Sequence, residues 1–321
     1  MARRIGGYDR ISDVLFVQYG GKVSALKVLL SHIPYDKGYC EPFFGSGAVF
    51  FARAPSEVEV INDADYDIIN FFSVLKDERK CIELERKLYW TPISRAVFIE
   101  ARKRLGRGIW NISREEALEG DVERAYWWYI LVTQSYCANR TAWAAPRCKN
   151  RARVHIQRVM SLYAFAERLR WAHIECDDGI AVCRRYDMPH MVFYLDPPYL
   201  LDLVEDEEAQ YKQYGGAWGI GKYEELIEWC LDAKGSIVLS NYDAVPKLGE
   251  EHPLFKRLLD AGWKKVTFEK RMLSLYGKGD MHEALFINPR AQEKLAEGIE
   301  VELHELGEED SEDEEDVPKL F

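Results

Sequence analysis

The apolar positions of this chain change period twice. Near the start they fall into short runs separated by glycine and proline; in the middle they follow a helical repeat; towards the end the short runs return. The first stretch predicts a helix over 23–32 that stops before Pro34, a short strand at 38–41, a glycine turn, and a second strand at 57–61 that runs into Asn62 and Asp63. Ile68, Ile69, Phe72 and Leu75 then recur at helical spacing, which predicts a helix over 64–75. Strand, glycine turn, helix, strand and acid in this order open a doubly wound α/β sheet. From 78 to 169 only helical periodicity is visible, so this stretch reads as an inserted or lateral subdomain. Strands follow at 172–175, 191–195 and 235–240, with a helix over 223–231 between the last two. Segments 264–268 and 283–287 pair as a closing antiparallel edge. No internal repeat is present.

Charge divides the chain further. Its 321 residues carry 43 Lys and Arg against 54 Asp and Glu, a net charge of −11. Between Glu297 and Asp316 lie 12 acids and no Lys or Arg, so the rest of the chain holds 42 acids against 43 bases, a net charge of +1. That acidic block lacks apolar content and repels itself, so 293–321 reads as a disordered tail, serving solubility or imitating nucleic acid. Positive charge is concentrated between Arg140 and Arg158, with six bases and no acid, and between Arg95 and Arg107, with five bases and one acid. Trp127, Trp128, Tyr136 and Trp143 lie close to these runs in sequence, a combination suited to phosphate contact and base stacking. A hydrophobic content of 47% excludes a disordered chain, and the absence of a long apolar run excludes a membrane helix. Seven scattered cysteines without a C-x-x-C pair argue against a disulfide framework or structural zinc, and point to a reduced, cytoplasmic protein without a metal.

Two segments carry chemistry. Phe43-Phe44-Gly45-Ser46-Gly47 lies between a strand and a helix, where glycines permit a tight turn and close approach of a ligand to the backbone. Asp63, at the end of the next strand, is placed to accept both hydroxyls of a ribose. Phe50 stands where a dinucleotide site would need its third glycine, which counts against NAD. The second segment is Tyr194-Leu195-Asp196-Pro197-Pro198-Tyr199, directly after an apolar strand. Its prolines make a rigid turn and leave carbonyls to accept from an amino group; Asp196 adds a second acceptor and Tyr199 an aromatic face. A planar base with an exocyclic amine needs this set.

With EPFFGSGAVFF at 41–51 and YLDPPY at 194–199, and a basic helical insert between them, the chain resembles the Dam-like (alpha-type) DNA adenine-N6 methyltransferases. Further similarity lies in YGGK (19–22), INDADYDIINFF (61–72), LSNY (239–242) and EALFINP (283–289). The resemblance implies a Rossmann-like S-adenosylmethionine-dependent methyltransferase sheet, made from 1–77 and 171–292, with 78–170 as a helical target-recognition subdomain. It also implies that S-adenosylmethionine is bound by Tyr19, Lys22, Phe43, Gly45, Gly47, Asp63 and Asp178, with Lys22 near the cofactor's carboxylate and Asp178 near its adenine; neighbouring Asp177 is the other register. Asp196, Pro197, Pro198 and Tyr199 match the catalytic tetrad, which would methylate adenine N6 in double-stranded DNA after the base is flipped out. Arg140, Arg147, Lys149, Arg151 and Arg153 are then the expected DNA contacts, with Trp143 either a wedge or part of the core. Residues 200–221 would form a lid, and the enzyme would act as a monomer or weak dimer. RNA adenine or DNA cytosine N4 are the alternative substrates on this fold, and an inactive DNA-binding relative is the non-enzymatic alternative.

Overall fold

The computed structural model describes residues 14–17, 21–105, 112–145, 150–200, 218–274 and 277–297. Its sheet has seven strands: β1 (Gly38–Glu41), β2 (Val58–Asn62), β3 (Ala172–Glu175), β4 (Met191–Leu195), β5 (Ser236–Tyr242), β6 (Lys264–Ser274) and β7 (Gly277–Ile287), in the order β3-β2-β1-β4-β5-β7-β6. The first five run parallel; β7 is antiparallel to both β5 and β6. Parallel strands are covered on both faces, so β4 and β5 are buried along their whole length, and β4 reads in sequence as an unbroken apolar run. The chain winds outward from β1 through β2 to β3, then returns to β4 on the other side of β1. Ligands bind at such a switch point, beyond the carboxyl ends of the strands.

Alternation along each strand sorts the side chains onto two cores. Tyr39, Ile61, Val192, Tyr194, Val238 and Leu285 face one side, and Cys40, Val60, Phe193, Leu195, Ile237 and Phe286 face the other. The first side is covered by α1 (Leu26–Leu30), α2 (Ala48–Ala52) and α3 (Tyr66–Lys76), and by the helical stretch α4 (Glu78–Tyr89), α5 (Arg95–Leu105), α6 (Arg114–Glu119), α7 (Val122–Gln134) and α8 (Arg151–Leu169). The second side is covered by α9 (Gly179–Arg185), α10 (Ile220–Asp232) and, after the short α11 (Val245–Leu248), by α12 (Pro253–Asp260); a final helix, α13 (Pro289–Ala296), packs on β5.

Among the described residues, the helices of 78–170 share their core with the sheet. Phe16 and Phe71 meet Trp128 of α7, with Tyr129 stacked on Phe71 at 5.5 Å and Phe72 packed on Phe16 and Phe71, and Phe165 of α8 packs on Phe51 at 4.6 Å. One continuous cluster therefore runs from the sheet through α3 into α4, α5, α7 and α8. Asp65, Asp77, Ser113, Asp121, Asn150 and Asp178 start helices by accepting a backbone N–H in the first turn. The expected helix over 23–32 is shorter, a 3-10 turn Val23–Ala25 leading into α1.

Candidate active site

At the carboxyl end of β1 the chain enters the glycine turn. Gly45 has φ 53° and Gly47 φ 69°, both in the left-handed region, and Gly47 caps α2. A Cβ at Gly47 would stand 2.4 Å from the Phe44 ring and 2.7 Å from Phe51, so only glycine fits. The turn is fastened to the next strand by Asp63, whose carboxyl accepts from the Gly45 N–H at 2.7 Å and the Asp65 N–H at 2.8 Å. Burial, reinforced by the charge of Asp65, pushes the Asp63 carboxyl up to about 7, against the pull of those two N–H groups and of Arg140. Asn62 ties three strand ends together: its amide donates to the carbonyls of Pro42 and Asp177, and its oxygen accepts from the Asp177 N–H.

After β3, Asp178 accepts from Ile180 and Ala181 N–H at 3.1 Å and receives the Lys222 ammonium on its other oxygen at 3.0 Å. The Asp177 carboxylate turns to Arg185 instead, at 2.7 Å. Gly179 lets the Phe43 ring lie directly against α9, since a Cβ there would meet that ring at 2.4 Å, and Trp218 closes on Phe43 edge to face at 5.1 Å.

The second segment sits across the switch point, at the end of β4. Asp196 is 21% exposed, and its Oδ1 receives Lys22 Nζ at 2.7 Å; Lys22 itself is 4% exposed. Burial alone would lower the Lys22 ammonium, but the charges of Asp196 and Glu283 outweigh it and raise the group above its ordinary value. The same ammonium lies 4.9 Å from the centre of the Tyr199 ring. Tyr199 is 7% exposed, shares a hydrogen bond with the Ser240 hydroxyl at 2.9 Å, and meets Tyr242 edge to face at 4.5 Å. The Pro198 carbonyl accepts from Tyr223 OH at 2.9 Å, and Asn241 donates to that hydroxyl at 2.6 Å. The proline turn is thus held from β5 and α10 through the Pro198 carbonyl.

Lys22, Phe43, Gly45, Gly47, Asp63, Asp178 and Asp196 to Tyr199 all stand at the carboxyl ends of β1 to β4 or on the segment packed there. Lys22, expected beside the cofactor's carboxylate, is joined to Asp196. The basic residues are distributed differently from their sequence grouping. Arg140 is paired with Asp65 at 3.0 Å and lies against Trp128. Arg151 donates to the carbonyls of Ala144 and Thr133, whereas Arg153 is exposed on the first turn of α8. Trp143 is half-buried, packs against the core and carries the Arg95 guanidinium 4.8 Å above its ring. Tyr19, Arg147, Lys149, residues 201–217 of the expected lid and residues 298–321 of the tail lie outside the described residues.

Glu41, Asn62, Ser240, Asn241 and Glu283 stood in the quoted motifs without a role of their own, and Tyr223 only as the start of a helix. A signal existed in Ser240-Asn241-Tyr242, where a buried apolar strand ends in polar residues that remain fully buried. Glu41 is 2% exposed, and burial pushes its carboxyl up to about 8. Among the described residues no cluster of three or more His, Cys, Asp or Glu is arranged to hold a metal, and no helix is long and apolar enough to cross a membrane.

Comparison with known proteins bears on this arrangement. The family model described as D12 class N6 adenine-specific DNA methyltransferase matches residues 19–251, which include both chemical segments and all of 78–170. The chain is 23% identical over 284 residues to the DNA N-6-adenine-methyltransferase of Escherichia phage P1, a match covering 85% of this chain and 35% of that protein. It is 31% identical over 90 residues to the DNA adenine methylase of Vibrio cholerae serotype O1, covering 27% of this chain and 32% of that protein. The matched stretches span about a third of the length of these curated relatives.

Proposed function

The chain belongs to the D12 class N6 adenine-specific DNA methyltransferases, and on that premise we propose that it transfers a methyl group from S-adenosylmethionine to adenine N6 in double-stranded DNA. One observation carries the reading: Asp63 with the glycine turn, and Asp196 with its proline turn, converge from two sides of the β1/β4 switch point.

The chain's donors and acceptors fit the cofactor. Asp63, held near neutrality by burial, gains from two ribose hydroxyls that donate to its ionised form. Asp178 accepts from the adenine amino group, with the Phe43 ring beside it, and Glu41, a buried carboxyl, takes the ammonium of the amino-acid half. When bound, S-adenosylmethionine supplies a methyl group already activated by its sulfonium.

The remaining task is to make a poor nucleophile attack. The adenine N6 lone pair is delocalised into the ring. Asp196 and the Pro197 carbonyl accept hydrogen bonds from the two N6–H groups and draw that lone pair back onto nitrogen. The methyl then passes to N6, S-adenosylhomocysteine leaves as the neutral thioether, and one N6 proton is released through the Asp196 carboxylate to solvent. Lys22 fixes the Asp196 carboxylate through Oδ1, so the acceptor is oriented before the base arrives. The target amine lies inside the duplex, so the base is flipped to reach Asp196, and the Tyr199 ring is its stacking surface once the Lys22 side chain yields the ring face. The basic helical face that includes Arg153 contacts the phosphates.

Incubation with methyl-labelled S-adenosylmethionine and mixed-sequence duplex DNA, followed by nucleoside analysis, tests the proposal. Label in N6-methyladenine is expected. Label in N4-methylcytosine, or in RNA alone, would replace the substrate; no label in any nucleic acid would overturn the activity.

A further inference from the structure

Around Glu41 lies a layer of polar side chains, Tyr39, Arg53 and Glu59 among them, to which the proposed reaction gives no role. Tyr39 and Glu41 are two residues apart on β1 and so face the same side of the sheet. Both are buried, and the Tyr39 hydroxyl donates to Glu41 Oε1 at 2.5 Å. The Arg53 guanidinium covers the Tyr39 ring at 3.7 Å, but its hydrogen bonds go to Glu59 at 3.3 Å and Ser56 at 3.2 Å, and Glu59 is bound again by Arg168 of α8. The cation nearest the pair is therefore spent elsewhere. Glu41 stands at the ligand end of the parallel sheet with a neutral hydroxyl as its hydrogen-bond donor.

We infer that Tyr39 is a positioning residue for the amino group of the cofactor: its hydroxyl pins one oxygen of Glu41, fixing the rotamer in which the carboxyl meets the ammonium. This rests on the proposed use of S-adenosylmethionine. A tyrosine kept only for packing would serve as well without its hydroxyl, which gives the inference its test. The groups facing Glu41 are Tyr39 and Arg53, which favour its ionised form, and Asp196 and Glu59, which oppose it; Tyr194 of β4 is also close. Removing the hydroxyl shifts the balance towards the protonated acid.

The experiment measures equilibrium binding of S-adenosylhomocysteine and of 5′-methylthioadenosine, which lacks the amino-acid half, to the full chain across pH 6–9. Tyr39→Phe is expected to weaken S-adenosylhomocysteine roughly tenfold, to leave methylthioadenosine within about twofold, and to move upward the pH below which affinity is lost. Glu41→Gln should give a selective loss at least as large, without that pH step. The double variant should be no weaker than Glu41→Gln alone, because both changes remove one interaction. Equal losses for both ligands in Tyr39→Phe would make the tyrosine a packing residue and overturn the inference. So would full S-adenosylhomocysteine affinity in Tyr39→Phe beside a loss in Glu41→Gln. Failure of the unaltered chain to bind either ligand would defeat the cofactor reading itself, and the inference with it.

Discussion

Asp63 is poised on its own titration. A carboxyl pushed up to about 7 is half protonated near neutrality, and in the proposed cofactor site only the ionised form would accept from both ribose hydroxyls. Cofactor affinity should therefore rise with pH through about 7, well above the range in which an ordinary carboxylate titrates. Binding measured against pH checks this, and Asp63→Asn should abolish the step near 7 while keeping the dependence set by Glu41. Asp196 answers to a different readout. Asp196→Ala should lower methyl transfer by about 10²–10³-fold with cofactor affinity largely intact. A loss of affinity equal to the loss of rate would remove it from the chemistry. Arg140 separates two roles by salt. Truncating a side chain that touches a phosphate reduces the salt slope of DNA binding by about 1. Arg140 is bound to Asp65, so Arg140→Ala should leave that slope unchanged and weaken the cofactor instead, because the acids around Asp63 lose a compensating charge.

At the scale of elements, the glycine turn and the proline turn are held by different means. The first depends on backbone conformation. Gly47→Ala combines a left-handed φ with contact against two phenyl rings, and should cost about 2–5 kcal/mol in urea unfolding. The second depends on side chains from its neighbours, Tyr223 and Asn241 on the Pro198 carbonyl and Ser240 on Tyr199. These two turns were legible in the sequence because prolines and glycines announce local geometry. β4 and the start of β5 were legible because burial on both faces turns them into apolar runs. Short helices were not: α9, α12 and α13 span 7 to 8 residues each, too few for periodicity to stand out. Pairing was not legible either. Arg140 lies in an acid-free run of bases and reads as a phosphate contact, while its partner Asp65 stands 75 residues earlier, a proximity that only the fold creates. The ion pair of Lys22 with Asp196, on a strand end far along the chain, is likewise a proximity that only the fold creates.

For the molecule as a whole, charge is segregated: Glu297 to Asp316 carry −12, against +1 for the rest. Removing 298–321 should leave the melting temperature unchanged, since a block this acidic and this poor in apolar residues adds little to a core. If the block competes with DNA for the basic surface, the shortened chain should bind duplex more tightly at low salt, with the difference fading as salt rises. Equal affinity at every salt concentration would leave solubility as its role.

The cluster that joins Phe16 and Phe71 to Trp128 and Tyr129 sets a limit on redesign. An engineer wishing to alter target sequence would look to 78–170 as a cassette to be exchanged for that of a relative. Its α7 and α8 supply part of the lining on which Phe51, Phe71 and Phe72 pack, and Arg168 completes the buried bonds of Glu59. A transplanted segment would bring foreign side chains into the floor beneath the glycine turn. Chimeras cut at 78 and 170 should lose cofactor binding before they acquire a new preference, and those confined to exposed positions of the segment should keep it.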